Sequence, residues 1–307
     1  MKSDKIACLF FNISLGVNRY ESDNFFEPNA VKSFKRWNPD VEVHVINNSN
    51  FHEYMKDLEI EEYYEDIGLI MLMVIKRMFE KYNYKKIFQL GIDTITCSRL
   101  DEFIDNCVDD IICTTGTFHS VVNEHYITPI LEFIEGDMLY RDVASINGDV
   151  VCINNKRAAS VLLDTTLKIY TSQTSQGGLN YCYINQKELK LSVSIVDFPY
   201  FKTKVVYNIR SKGVVGGYCL VRGNVLDGRR GRVISNTYPS TLFVVKDDKL
   251  FTHDDKQIKV FHFCEGLGYK TDDVDELTYD EQINEMKTMW FNERTLEFFK
   301  NKCECIF

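Results

Sequence analysis

The stretch from residue 86 to residue 103, KIFQLGIDTITCSRLDEF, constrains the fold of this chain more than any other. A largely apolar run over 87–90 ends at Gly91, and the acid Asp93 follows two residues later. A short strand of a parallel sheet, buried on both faces, has this pattern. Ligands bind at the carboxyl edge of such sheets, where a carboxylate suits a divalent cation that carries phosphate oxygens. The same residues also fit a strand and a turn in which Asp93 only caps the next helix.

Strand and helix patterns alternate along the first 185 residues or so of the chain. Short apolar runs indicate buried strands, and apolar residues at helical spacing indicate amphipathic helices. We therefore expect strands at 5–11, 41–46, 87–90, 108–114 and 150–153, and helices at 24–36, 67–81, 156–169 and 173–183. Such alternation is typical of an α/β fold with a central, mostly parallel sheet flanked by helices.

The pattern changes after residue 189. Short β segments separated by glycine turns are expected at 191–196, 217–222, 232–235, 241–245 and 258–263, and a largely helical stretch at 276–303. No proline- or serine-rich linker interrupts the chain. We therefore expect one continuous domain over residues 1–307, with a small β-rich lobe and a C-terminal helix.

Charge and composition exclude several classes of protein. The formal net charge of −9 makes duplex nucleic acid a poor partner. The longest apolar run after the first strand, residues 67–75, is too short to span a bilayer. The ten cysteines have neither zinc-site spacing nor the density of a disulfide scaffold. These features favour a cytoplasmic chain, and they leave its oligomeric state open.

Residues 261–270, FHFCEGLGYK, are a second stretch whose residue types could form a binding site. An apolar strand runs into His262, and a glycine-rich loop then leads to Lys270. A neutral imidazole binds divalent cations, glycines such as Gly266 allow a phosphate to approach the backbone, and a lysine neutralises it. A histidine at the end of a strand is also commonly structural.

Several motifs together resemble the glycosyltransferases of the GT-A fold, in particular the glycogenin and galactinol synthase type. Residues 91–94 and 100–103 fit the frame Asp-x-Asp-Thr followed by Leu-Asp-Glu-Leu/Phe, with Gly91 in place of the first acid. Residues 145–150 resemble that family's Phe-Asn-Ala/Ser-Gly-Val strand. Residues 175–180 resemble its Asp-Gln-x-x-Leu-Asn turn, with Ser175 in place of the acid. The chain also resembles the soluble glycosyltransferases of large DNA viruses, which build capsid glycans.

The resemblance implies an NDP-sugar donor, most often a UDP-sugar, whose diphosphate is bridged by Mn²⁺ or Mg²⁺. Asp93 and His262 match the metal ligands of the family, and Gly266 and Lys270 match its diphosphate contacts. The other matched donor contacts are Asn12 and Tyr20 near the nucleoside, Lys76 and Arg77 on the preceding helix, and Asn147 and Asn180. Tyr20 could equally be a core or a surface residue. Lys76 and Arg77 fit a solvated charged pair equally well.

The same resemblance places Asp149 and Gln176 beside the transferred sugar. If the reaction inverts the anomeric centre, Asp149 is the candidate general base. If it retains configuration, Asp149 or Gln176 faces the oxocarbenium-like transition state. A turn acid that binds backbone amides is an alternative role for Asp149. Gly91 removes the acid that in the family touches both metal and ribose, which puts the strength of metal binding in question, and Ser175 removes another acid near the sugar.

The expected function is therefore transfer of a sugar to a glycan acceptor, with viral capsid glycan synthesis as one setting. Residues 1–115 would form the nucleotide-sugar-binding half and residues 116–307 the sugar and acceptor half. Two alternatives remain. A sugar-nucleotide pyrophosphorylase would need a glycine-rich loop with Arg and Lys after the first strand, which residues 12–16 lack. A non-catalytic glycan- or nucleotide-binding protein derived from the enzyme would explain Gly91 and Ser175.

Overall fold

The computed structural model describes eleven segments of the chain: residues 5–13, 23–56, 66–101, 108–120, 144–169, 174–196, 200–205, 217–220, 243–252, 257–262 and 292–305. The chain folds into two compact units, and it passes between them several times. The first unit comprises Met1–Asn18, Asp40–Leu90 and Asp101–Val196. The second comprises Arg19–Pro39, Gly91–Leu100 and Asp197–Phe307.

Strands and helices alternate in the first half of the chain, as the periodicity predicts. In chain order the described elements are β1 (Ile6–Asn12), α1 (Asp23–Trp37), β2 (Glu42–Asn47), α2 (Phe51–Met55), α3 (Ile67–Tyr82), β3 (Lys86–Leu90), β4 (Thr94–Thr96), β5 (Ile111–Ser120), β6 (Ala144–Ile153), α4 (Lys156–Ile169), α5 (Thr174–Ile184), α6 (Gln186–Leu189), β7 (Val193–Val196), β8 (Tyr200–Val205), β9 (Gly217–Leu220), β10 (Phe243–Lys246), β11 (Lys249–Thr252), β12 (Gln257–Ile258), β13 (Val260–His262) and α7 (Glu293–Lys302).

The first unit is built on a six-stranded sheet with the order β2-β1-β3-β6-β5-β7. Strand β1 pairs in parallel with both β2 and β3, and β5 pairs in parallel with β7. Strand β6 is antiparallel to its neighbours β3 and β5. The sheet is therefore mostly parallel, and the predicted α/β class is confirmed. Because β6 runs in the opposite direction, its early residues lie at the carboxyl edge of β3.

One face of this sheet carries the main core, because α3, α4 and α5 present apolar residues to it. Strand β3 is buried along its whole length. Helix α3 begins where the Asp66 carboxylate accepts a hydrogen bond of 3.0 Å from the Leu69 N–H, and it ends at Asn83, which has a left-handed φ of 53°. The buried cluster includes Leu9, Phe11, Leu69, Ile70, Val74, Met78, Ile87, Val151, Ile153, Leu162 and Leu179.

The second unit contains two small sheets and two helices. One sheet has the order β4-β13-β8-β9, and the other is the antiparallel meander β10-β11-β12. Helix α1 contacts β4, and α7 contacts β10 and β11. Phe261 of β13 packs edge-on against Phe299 of α7, with 5.7 Å between the ring centroids, and both side chains are fully buried. The β-rich lobe predicted after residue 189 therefore forms, with α1 and β4 added from earlier in the chain.

The bounds of the strongly periodic elements agree with prediction within a few residues, and α4 agrees at both ends. Strand β6 is longer than expected, since it begins at Ala144 rather than Val150. The segment 147–149, expected at the entrance of that strand, therefore lies inside it. The predicted strand 232–235 and most of the predicted helix 276–303 lie outside the described residues. In the part of the chain that the structure describes, no helix is long and apolar enough to cross a membrane.

Candidate active site

The carboxyl edge of the first unit's sheet gathers polar residues from several strands. Strand β1 ends at Asn12, which pairs with Asn47 at the end of β2. Strand β3 ends at Leu90, which pairs with Val150 of β6. Because β6 is antiparallel to β3, the residues just before Val150 lie at this same edge. Asn12 and the segment 147–149, all predicted site residues or their neighbours, are therefore brought to one edge of one sheet.

A bulge interrupts β6 at this edge. Cys113 of β5 pairs with Val151, whereas the next residue, Thr114, pairs with Asn147. Residues 148–150 are thus left out of the ladder with β5. Bulges re-aim side chains and occur next to active sites. The backbone of Asp149, the candidate base, lies within this bulge.

The first turn of α5 packs closely against the bulge. A methyl group at Gly148 would lie 3.0 Å from Gln176 Cγ and 3.6 Å from Ser175 Oγ. Such a contact is tighter than most side-chain contacts, so a Cβ at position 148 would require the Gln176 side chain to shift by a few tenths of an ångström. The structure therefore brings Gln176 against Gly148, the residue before Asp149. Asp149 and Gln176 are 27 positions apart in the sequence.

Asn180 joins α5 to β6 through its side-chain amide. Its Oδ1 accepts a hydrogen bond of 3.1 Å from the Ile146 N–H, and its Nδ2 donates a bond of 2.8 Å to the Gln176 carbonyl. The side chain is only 1% exposed. A buried amide with this bonding holds the helix to the strand, so the described contacts of Asn180 are with the protein backbone.

Asp93 lies in a tight turn of the second unit. The Gly91 carbonyl accepts hydrogen bonds from the Thr94 N–H at 3.2 Å and from Thr94 Oγ1 at 2.7 Å. This pattern is that of a β-turn with Asp93 as its third residue. Thr94 then begins β4, which pairs with β13 so that Thr94 lies opposite His262. The backbone of His262 is therefore adjacent to the residue that follows Asp93, although these segments are far apart in sequence.

The chemistry of this pair fits a divalent cation. A carboxylate suits Mn²⁺ and Mg²⁺, a neutral imidazole is a common metal ligand, and Mg²⁺ sites use one or two carboxylates together with substrate phosphates. Within the described segments, no group of three or more His, Cys, Asp or Glu residues could hold a metal ion. A cation at Asp93 and His262 would therefore need water or ligand oxygens to complete its shell.

Lys76 and Arg77 lie in the second half of helix α3. Helix α3 ends three residues before β3 begins, so its last turns lie toward the amino edge of the sheet. Arg77 lies about 15 Å along the helix from its start, by the rise of 1.5 Å per residue. Its guanidinium donates to Glu80 at 3.2 Å and to the Lys56 carbonyl at 3.2 Å.

The contacts of Glu80 show why Arg77 is held at this position. Burial alone would raise the pKa of the Glu80 carboxyl, but hydrogen bonds from Arg77 and Lys156 hold it below its ordinary value. The Lys156 ammonium lies 3.5 Å from the Glu80 carboxylate. Arg77 is therefore part of a charged network on the helix surface, and its role in donor binding stays a prediction.

Some predicted site residues lie outside the described part of the chain, namely Tyr20, Gly266 and Lys270. A cleft of about 450 Å³ in the second unit includes none of the predicted site residues. It is lined by Arg36, Trp37, Asp247, Asp248, Lys249 and Lys302, and a Lys302–Asp248 ion pair of 2.6 Å lies within that lining.

One buried polar residue at the carboxyl edge was not expected to belong to the site. Gln89 of β3 donates a hydrogen bond of 2.7 Å from Nε2 to the Gly148 carbonyl, in the bulge of β6. Its only signal in the sequence is an amide within an otherwise apolar strand.

Solved structures identify this arrangement of strands and helices, whereas the sequence matches no family model and no curated protein. The bifunctional glycosyltransferase WbbM, solved in its apo form, is similar over 96% of this chain and 51% of that chain, with a TM-score of 0.52 at 10% identity. The chain has the GT-A glycosyltransferase fold. This confirms, at the level of the fold, the resemblance that the motifs predicted.

Other structures with weaker similarity to this GT-A chain also bear glycosyltransferase names. The galactosyltransferase LgtC, in complex with donor and acceptor sugar analogues, covers 95% of this chain and 95% of its own, with a TM-score of 0.47 at 15% identity. A glycosyltransferase involved in the glycosylation of the major capsid of PBCV-1 covers 65% of this chain and 85% of its own, with a TM-score of 0.40 at 11% identity.

Proposed function

We propose that this protein is a glycosyltransferase that moves a sugar from a UDP-sugar to a hydroxyl group of a glycan acceptor. The observation that carries the proposal is the antiparallel ladder between β4 and β13, which pairs His262 with Thr94, the residue after Asp93. Two segments that are distant in sequence and that carry the candidate metal ligands of the GT-A resemblance are therefore neighbours in the same sheet or in the turn beside it. The carboxyl edge of the first unit supports the same function, because Gln176 packs there against Gly148, the residue before Asp149.

Asp93 and His262 are proposed to hold Mn²⁺ or Mg²⁺ together with the diphosphate of the donor. A bound cation would neutralise negative charge that develops on the departing diphosphate. Asn12, at the carboxyl end of β1, is proposed to contact the nucleoside, with Tyr20 in the loop that follows. Lys270 is proposed to neutralise part of the diphosphate charge.

Asp149 and Gln176 are proposed to act at the transferred sugar. A carboxylate at Asp149 would accept the proton of the acceptor hydroxyl if the anomeric centre is inverted. If configuration is retained, the Asp149 carboxylate or the Gln176 amide oxygen would face the positive charge of the oxocarbenium-like state. Either role requires exact placement of the bulge in β6, since a near-attack geometry supplies a large part of the rate.

Isothermal titration calorimetry with UDP, in the presence and absence of Mn²⁺, tests the donor site. We expect wild-type protein to bind UDP with a Kd on the order of micromolar, the lower end of ordinary enzyme KM values, and only when Mn²⁺ is present. Asp93→Asn should weaken this binding at least about tenfold, since one carboxylate of a two-ligand site is removed. Asp164→Asn, at an exposed acid of α4, is the control with the same charge change.

The outcomes separate the alternatives. Binding that requires both Mn²⁺ and Asp93, followed by hydrolysis of one UDP-sugar in a screen, would establish the donor site. Binding of UDP without turnover of any UDP-sugar would instead favour a non-catalytic binding protein. Equal binding by wild type and Asp93→Asn, with or without Mn²⁺, would refute the metal site at Asp93. No binding of UDP at all would refute UDP as the donor nucleotide.

A further inference from the structure

Gln89 is a polar residue in an apolar environment. It lies on β3 between Leu9 of β1 and Val151 of β6, both of which belong to the core. Side chains two residues apart on a strand share a face, so Gln89 lies on the same face as Ile87, another core residue. Its side chain is only 4% exposed. Burial of an amide is unfavourable unless its donors and acceptors are bonded, so packing alone does not account for glutamine here.

The hydrogen bond that Gln89 makes explains its presence. Its Nε2 donates to the Gly148 carbonyl at 2.7 Å in a buried setting. Gly148 lies in the bulge and has no partner in the ladder between β5 and β6. A bulge leaves backbone groups without their usual partners, and a buried carbonyl without a donor is costly. Gln89 therefore replaces the partner that the bulge lacks.

The bulge is held from two sides. Gln89 binds the Gly148 carbonyl from β3, and Asn180 binds the Ile146 N–H from α5. Asn180 also binds the Gln176 carbonyl, and Gln176 Cγ lies against Gly148. A shift of the bulge would therefore displace Gln176 and the backbone of Asp149 together.

We propose that Gln89 is a positioning residue, which fixes the bulge of β6 and thereby aligns Asp149 and Gln176 with the transferred sugar. This inference rests on the proposed function for its catalytic part. Its structural part, the hydrogen bond that holds the bulge in place, does not depend on that function, and hydrogen–deuterium exchange measures it separately.

Gln89→Met tests the proposal, because methionine has a similar volume and no N–H donor. We expect kcat for UDP-sugar turnover to fall about 10- to 100-fold, since small displacements of catalytic groups have effects of this order. The Kd for UDP should stay within about twofold, an energy difference below about 0.5 kcal/mol. Hydrogen–deuterium exchange of residues 144–153 should become faster, whether or not the protein is a transferase.

Thr166→Val is the matched control. Thr166 Oγ1 donates a buried hydrogen bond of 2.7 Å to the Leu162 carbonyl within α4, so this variant loses a bond of the same length in the same unit. We expect it to lower the thermal midpoint as Gln89→Met does, but to leave kcat and the exchange of 144–153 close to wild type. If the two variants have the same kcat and the same exchange, Gln89 is only a stabilising residue and the proposal is overturned.

Gln89→Glu provides a second test in case the methionine variant does not fold. A protonated carboxyl donates to the Gly148 carbonyl, whereas a carboxylate repels it. The ratio of kcat in this variant to kcat in wild type should therefore fall as pH rises. A ratio that does not change with pH would contradict the proposal. If wild-type protein turns over no UDP-sugar, the proposed function fails, and the exchange experiment still tests the hold on the bulge.

Discussion

Gly178 of α5 packs so closely against α4 that its replacement by alanine has a predictable effect on stability. A methyl group there would lie 1.9 Å from Thr166 Oγ1, 3.1 Å from Thr166 Cβ and 3.4 Å from a methyl carbon of Leu162. Replacement of glycine by alanine inside a helix normally stabilises it by about 1 kcal/mol. Here α4 and α5 must separate, or Thr166 must rotate away from its buried bond to the Leu162 carbonyl.

The loss of stability expected from overpacking exceeds the gain expected from helix propensity. Overpacking of a well-packed core costs about 1–3 kcal/mol, and a lost buried hydrogen bond costs about 1 kcal/mol more. After the gain in helix propensity, Gly178→Ala should reduce the free energy of unfolding by about 1–3 kcal/mol. Urea denaturation followed by circular dichroism measures this change.

A double-mutant cycle tests whether the Thr166 contact is the cause. Thr166→Ala removes the atom that the new methyl group would strike, so Gly178→Ala should be far less destabilising in that background. The coupling should reach at least about 1 kcal/mol, as expected for residues in contact. If Gly178→Ala instead stabilises the protein by the amount expected from helix propensity alone, Gly178 of α5 does not pack closely against Thr166 of α4.

Two further predictions concern stability and pH. Asp66→Ala removes the bond from the Asp66 carboxylate to the Leu69 N–H at the start of α3, so it should cost about 1 kcal/mol in thermal or urea denaturation, whereas an unchanged stability would contradict the cap. Burial lowers the pKa of His44 from its ordinary value, although Glu42 opposes this, and His44 also makes a bond of 2.8 Å with the Tyr84 hydroxyl. Because the unfolded chain then binds the proton more tightly, stability should be full above about pH 6.5 and should fall as pH falls below it. Stability measured from pH 8 to pH 5 should decline less in His44→Gln than in wild type, and an equal decline would contradict the lowered pKa.

Sequence periodicity predicted the elements that depend on local pattern. Helix α3 carries apolar residues on a wide face between an N-terminal acid and Asn83, and it forms as expected over 67–82. The early start of β6 could not be predicted in this way. Apart from Ile146, residues 144–149 are polar or small, and they extend the strand only because β5 supplies partners on both sides of the bulge. Strand pairing of this kind depends on register between distant segments, which a single sequence does not contain.

In the candidate site as well, sequence motifs predicted some residues, whereas others could be found only from contacts between distant segments. The sequence motifs indicated Asp149 and Gln176 through the GT-A resemblance, and the fold brings the Gln176 side chain beside Gly148, the neighbour of Asp149. The sequence did not indicate Gln89 as a site residue, because the resemblance assigns no role to it and an isolated amide in a strand has many explanations. Only the position of the Gly148 carbonyl distinguishes a partner of the bulge from a tolerated polar residue.

Gly91 stands where the GT-A resemblance predicts an acid. This difference changes the charge of the proposed metal site more than the backbone geometry of the turn that carries Asp93. The turn that carries Asp93 is closed by the Gly91 carbonyl, which accepts from the Thr94 N–H and hydroxyl, and neither bond involves a side chain at position 91. The path from the turn into β4 and the pairing of Thr94 with His262 likewise use only backbone atoms. The proposed metal site therefore keeps the backbone frame of Asp93 while losing one carboxylate. A cation with fewer charged ligands is held more weakly and depends more on the phosphate oxygens of its ligand. On this reasoning, metal and UDP should bind to this protein together, and Mn²⁺ alone should bind weakly.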